Sequence, residues 1–115
     1  MIPIIVYSDK FLDKIGIFFR VAGITLFPFI IIRKPYKKLV NHETIHIYQQ
    51  LELLVIPFYL LYILMYLYNI VKYRNVFEAY MNIPFEKEAY ANENNYTYIK
   101  KRKLFSWIKY FKETY

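Results

Sequence analysis

Hydrophobic and polar positions along this chain divide it into segments of different period. After Ser8 or Asp9, either of which suits an N-cap, Phe11, Leu12, Ile15, Phe18 and Phe19 fall on one helical stripe. Asp9, Lys10, Asp13 and Lys14 lie elsewhere, so the spacing predicts a first helix, weakened by Gly16 and ended by Gly23. The run ITLFPFIII from Ile24 to Ile32 is β-branched and aromatic, which predicts a strand. Pro28 cannot donate to a ladder, so that strand belongs at an edge or carries a bulge. A membrane-embedded stretch is the alternative, because Arg20 is the only charge from Ile15 to Ile32.

Pro35 suits the first turn of a helix that begins there or just after. Leu39, His42, His46, Gln49 or Gln50, and Leu53 then follow one another on one face at helical spacing. The two glutamines can hydrogen-bond near that face or simply be solvated, and solvation is the expectation. Pro57 kinks or restarts the helix. From Leu53 to Val71 the only strongly polar residue is Asn69, so by length the run qualifies as a membrane span. Its tyrosines, with Lys72 and Arg74 at the far end, fit an interface or a span; a buried helical hairpin broken near Pro57 is the alternative. Pro84 predicts another helix start, with Glu86, Tyr90 and Glu93 on one face and Glu88 on another. Leu104, Trp107, Ile108 and Phe111 sit at i, i+3, i+4 and i+7 among lysines, which predicts a basic amphipathic helix at a headgroup boundary or docked on the domain.

Composition changes this picture in two ways. The 115 residues predict one domain, with no internal repeat or linker, yet 57% hydrophobic and 22% aromatic residues exceed what a small water-soluble core needs. The net charge of +7 comes in clusters, Arg33-Lys34 with Lys37-Lys38, Lys72 with Arg74, and Lys100-Lys101-Arg102-Lys103. Basic clusters beside apolar stretches point to an anionic membrane surface, and no nucleic-acid-binding motif argues otherwise. The N-terminus does not read as a secretory signal, so the cytoplasmic side of a membrane is the expected location.

The chemistry is concentrated at His42-Glu43-Thr44-Ile45-His46, an H-E-x-x-H motif that contains both of the chain's histidines. Positions i and i+4 share a helical face, so the two imidazoles can hold one Zn²⁺. Glu43, about 100° around the helix from His42, is near the metal without being a ligand, as a general base must be. The chain has no cysteine, so any further ligand is a carboxylate. Catalytic zinc usually has three protein ligands, and either Glu86 or Glu88 can be the third.

His42-Glu43-x-x-His46 with a glutamate on a later helix resembles the gluzincin branch of zinc metallopeptidases. Phe85-Glu86-Lys87-Glu88-Ala89-Tyr90 is similar to the E-x-x-A-D signature of its membrane-associated members. That resemblance implies Glu86 as the third ligand, with Tyr90 in place of the aspartate that hydrogen-bonds a zinc histidine. His46-Ile47-Tyr48-Gln49-Gln50 also resembles the H-x-x-Q-Q continuation of small bacterial zincin-like domains. The family implies a strand beside the motif helix that holds an extended peptide by strand addition, and Ile24 to Ile32 is the candidate.

The expectation is therefore an α+β, mostly helical, zincin-like domain binding one Zn²⁺ per chain and hydrolysing a peptide or acyl bond at a membrane. Its runner-up is a catalytically inactive, membrane-associated metal-binding or scaffold protein. Gln49, Gln50 and Tyr90 are candidates for supporting hydrogen bonds around the ligands. Substrate and oligomeric state are not legible. One constraint is topological: a single span over Leu53–Val71 would put His42 and His46 on one side of a bilayer and Glu86 on the other. A three-ligand site requires that segment not to cross once and stop, so it forms a helical hairpin, lies in the membrane interface, or packs on the first helix and the strand; a membrane-surface protein with a protruding apolar helical pair is the expectation.

Overall fold

The computed structural model describes residues 3–16 and 22–114. Its elements are β1 (Ile4–Tyr7), α1 (Asp9–Ile15), β2 (Gly23–Leu26), β3 (Phe29–Ile32), α2 (Lys37–Glu52), α3 (Ile56–Tyr73), α4 (Val76–Met81), α5 (Pro84–Asn92), α6 (Tyr98–Lys101) and α7 (Ile108–Thr114). The architecture is α+β and mostly helical, with a three-stranded mixed sheet in the order β1-β3-β2.

The Ser8 hydroxyl accepts from the Phe11 amide to start α1, which Gly16 ends. This helix is shorter than its apolar stripe suggests; Phe18 and Phe19 lie outside the described residues, and Gly23 opens a strand instead of closing a helix. The expected single strand over Ile24–Ile32 is a hairpin. β2 turns at Phe27-Pro28 and pairs antiparallel with β3, Leu26 opposite Phe29 and Gly23 opposite Ile32. Pro28 therefore sits in a turn, where its missing N–H costs no ladder bond. β1 pairs parallel with β3, so among the described residues β2 is an edge strand, with no further strand on its outer side.

The sheet packs on α2 through alternate residues of β3, as a period of two demands. Ile30 and Ile32 are fully buried against Ile47, with Leu39 and Val40 closing the layer. Gly23 brings β2 close to the helix. A Cβ there would meet Ile32 Cγ2 at 2.9 Å and Leu39 Cδ1 at 3.3 Å. A second core forms on the other side, where Phe58 and Met65 of α3 meet Ile83, Phe85 and Trp107. Trp107 thus packs into the core, its ring 4.9 Å from that of Phe85, and not at a headgroup boundary. The expected C-terminal amphipathic helix begins only at Ile108, after Phe105 takes a positive φ, and leaves Leu104 exposed outside it.

α2 ends at Glu52 and Pro57 restarts the chain in the first turn of α3, after Leu54 and Val55 take φ of 59° and 64°. Instead of forming an apolar helical pair within 53–71, the run turns through 53–55 and is one uninterrupted helix from Ile56. α4 then returns along it, held by Asn69 Nδ2 donating to Ala79 O and the Tyr66 hydroxyl donating to Val76 O. Among the described residues, α3 is the one helix long and apolar enough to cross a membrane, and only 17% of it is buried. Because the chain comes back beside α3, this helix does not separate the histidines from α5.

Candidate metal centre

Two helices build the centre. α2 runs between the sheet and α5, and Asn41, His42, Glu43, His46, Gln49 and Gln50 are all buried along it. Pro84 starts α5, so Glu86 falls in its first turn, where the helix dipole favours a carboxylate. Asn41 ties the far end of α5 to α2, its Nδ2 donating to the backbone carbonyls of Asn92, Glu93 and Asn95.

His42, His46 and Glu86 converge as a group able to hold a metal ion. Glu86 Oε1 lies 3.1 Å from His42 Nε2 and 3.0 Å from His46 Nε2, and the two Nε2 atoms are 3.3 Å apart. Bonds of ~2.0–2.1 Å to a tetrahedral Zn²⁺ would put ligand atoms about 3.3 Å apart. The donor set and its spacing therefore fit such an ion. The outward nitrogens are occupied as well. His46 Nδ1 is 2.7 Å from Gln49 Oε1 and His42 Nδ1 is 2.9 Å from Glu93 Oε2. Each acceptor holds a proton on Nδ1 and so leaves the Nε2 lone pair for a cation. Glu86 Oε2 accepts from the Tyr62 hydroxyl at 2.7 Å, which fixes the carboxylate plane.

The electrostatics agree with that layout. Burial opposes charge on His42, but hydrogen bonds to Glu86 and Glu93, with the Glu86 and Glu43 charges, push it up to about 10. Burial likewise opposes charge on Glu86, yet the neighbouring imidazoles hold it well below the usual carboxylate range.

Glu88, the alternative third ligand, is not in this group. It is fully buried on another face of α5, within 2.6 Å of Arg102 Nε and 2.7 Å of the Tyr98 hydroxyl. Its helical phase and a cation distant in sequence together remove it. The glutamines are buried instead of solvated. Gln49 serves His46, whereas Gln50 turns to the sheet, its Nε2 donating to Thr25 O and its Oε1 accepting from the Phe27 amide. Tyr90 packs its ring 4.4 Å from that of His42 and shares a 2.9 Å hydroxyl contact with Tyr80. The histidine hydrogen bond expected of an aspartate at that position comes from Glu93, one turn on, which Lys38 Nζ approaches at 3.3 Å.

Glu43 faces β2, and the Thr25 hydroxyl is 2.5 Å from its Oε2. The sequence pattern assigns no role at the site to Thr25, Glu93, Tyr62 or Tyr80. Only Glu93 carried a signal, by sharing a helical face with Glu86. All of these groups line a cleft of about 760 Å³ that β2, α2, α3 and α5 enclose. Its walls are largely apolar and aromatic, including Leu26, Leu39, Phe58, Tyr66 and Ile70. The Tyr80 hydroxyl is 3.2 Å from Glu86 Oε1; burial pushes it well above the usual phenol range, and Tyr90 up to about 12. Both are proton donors at neutral pH. The chain matches no family model, and no curated protein or solved structure matches it.

Proposed function

We propose that this chain is a zinc-dependent metallopeptidase of zincin-like, gluzincin type, working at a membrane surface on a peptide or other acyl bond. The observation that carries the reading is the triangle of His42 Nε2, His46 Nε2 and Glu86 Oε1, with both Nδ1 atoms occupied from outside. Zn²⁺, when bound, would polarise a carbonyl and lower the pKa of water towards ~7. The remaining work falls to the chain. Glu43 takes the proton from the attacking water and returns it to the leaving group, while Thr25 holds one carboxylate oxygen and leaves the other for that transfer. Tyr80 spends its one proton on Glu86 Oε1, and Tyr90, whose hydroxyl rests on that of Tyr80, is the donor that turns to the oxygen on which charge develops. The outer edge of β2 lines the same cleft, and at Gly23 and the Thr25 amide, short of the Thr25 carbonyl and Phe27 amide that Gln50 occupies, it suits an extended peptide backbone, as the resemblance implies.

The membrane part of the proposal rests on α3. Ile56, Leu60, Ile63, Leu64, Leu67 and Val71 form an exposed stripe on one side, while Phe58, Tyr62 and Tyr66 of the same helix line the cleft. Lys72 and Arg74 follow at its end, where they meet anionic headgroups.

The test is Glu43→Gln, which spares all three ligands. Zinc content should stay at one per chain, and hydrolysis of a mixed peptide substrate should fall about 10²–10⁴-fold. Equal turnover in both proteins would overturn the catalytic reading. Zinc without turnover in either would leave a silent metal-binding protein.

A further inference from the structure

Glu88 and Arg102 lie behind the metal centre and touch none of its ligands, yet they reach His46 through one side chain. Gln49 Nε2 has two acceptors on α5, the Phe85 backbone carbonyl at 3.0 Å and Glu88 Oε1 at 3.0 Å. A carbonyl can only accept, so the amide nitrogen of Gln49 must face α5 and its oxygen must face His46. The oxygen in turn can only accept, which places a proton on His46 Nδ1 and the lone pair on Nε2. Glu88 is held as the acceptor by Arg102 Nε at 2.6 Å, Arg102 Nη2 at 3.0 Å and the Tyr98 hydroxyl at 2.7 Å. Arg102 is itself anchored to Glu52 by two contacts of 2.9 Å. The side chains of Glu52, Glu88 and Arg102 are each at most 4% exposed.

We infer that Arg102, Glu88 and Gln49 form a positioning chain that sets the tautomer of His46, so that metal affinity depends on the C-terminal segment carrying Tyr98 and Arg102. This rests on the metal-binding reading and goes beyond it, because none of the three residues touches the ion's position. The direction of every hydrogen bond matters. A chain that merely filled space would tolerate any isostere, whereas this one tolerates only replacements that keep an acceptor against His46 Nδ1.

Zinc affinity of the full chain, measured by competition with a chromophoric chelator, supplies one readout. The ring ¹⁵N spectrum supplies the other, and with two histidines in the chain it contains only two imidazoles. Gln49→Leu should weaken zinc by about 10–100-fold and shift the His46 ring while leaving His42 in place. Gln49→Glu alone sets two carboxylates together and should also bind weakly. Combining it with Glu88→Gln restores a donor–acceptor pair between the two side chains but leaves the Phe85 carbonyl without a donor, so it should recover part of the affinity. Wild-type affinity in Gln49→Leu, or a double variant no better than Gln49→Glu, would overturn the positioning chain. If wild type held no zinc, the metal reading would fall separately. Slow exchange of the His46 Nδ1 proton in the metal-free protein, lost in Gln49→Leu, would still support the chain, and fast exchange in both would overturn it.

Discussion

Two consecutive helices, α2 and α3, break the usual rule of burial in opposite directions. α2 buries six polar side chains against two apolar ones, and each of the six has a hydrogen-bond partner among the described residues. α3 exposes its aliphatic residues, Leu60 at 60%, Leu64 at 64% and Val71 at 78%, with none of the described residues covering them. Buried polar groups are costly unless satisfied, so α2 holds one arrangement and departures from it are penalised. A large exposed apolar stripe is costly in water and ordinary in lipid. On the proposed reading, the first helix is organised around chemistry and the second around a membrane surface.

The sharpest break would come from the ligand. Glu86→Ala should weaken zinc by more than the ~100-fold that loss of a supporting hydrogen bond causes, with membrane binding unchanged. Retained affinity in a chelator competition would mean the α2 face does not need α5. The second effect belongs to α3. Leu60→Lys with Leu64→Lys should release the protein from phosphatidylglycerol-rich vesicles, since each buried Leu is worth roughly 1.5–3 kcal/mol, and zinc affinity should stay the same. Co-sedimentation undiminished by both lysines would show that the stripe meets something other than lipid. The smallest effect lies at the corner between the helices, where Leu54 takes φ 59° and is 80% exposed. Leu54→Gly should raise stability by up to about 1 kcal/mol, because glycine removes the left-handed penalty at some cost in chain entropy. An unchanged or lower denaturant midpoint would show that the corner is not strained.

What the sequence reveals follows the same division. The motif helix and its histidines are legible because one short spacing encodes the helical period and the ligand type together. Pro84 and the phase of Glu86 mark α5 for the same local reason. The hairpin is not legible, because Phe27-Pro28 has none of the Gly or Asn that usually signals a two-residue turn. β1 is four apolar residues, too short to carry a period. The roles of Glu88, Glu93 and Thr25 depend on partners 14, 51 and 18 residues away. Local pattern carries no information about such pairs. Trp107 is half legible for a related reason: its helical spacing with Phe111 shows in a ring contact, but the Phe85 contact that selects docking on the domain over a headgroup boundary is distant in sequence.

Gln49 and Gln50 are adjacent in sequence and point about 100° apart, one anchored to α5 and the other to β2. Together they act as a pair of spokes holding an axle. Turning α2 by 20° about its own axis would swing side-chain atoms at ~6 Å radius through about 2 Å, which breaks both sets of bonds. The angle of the helix is therefore indexed from two sides at once. The distance from the His42, His46 and Glu86 group to the strand edge becomes a fixed gauge, and one residue inserted between His46 and Gln49 would throw both faces out of step.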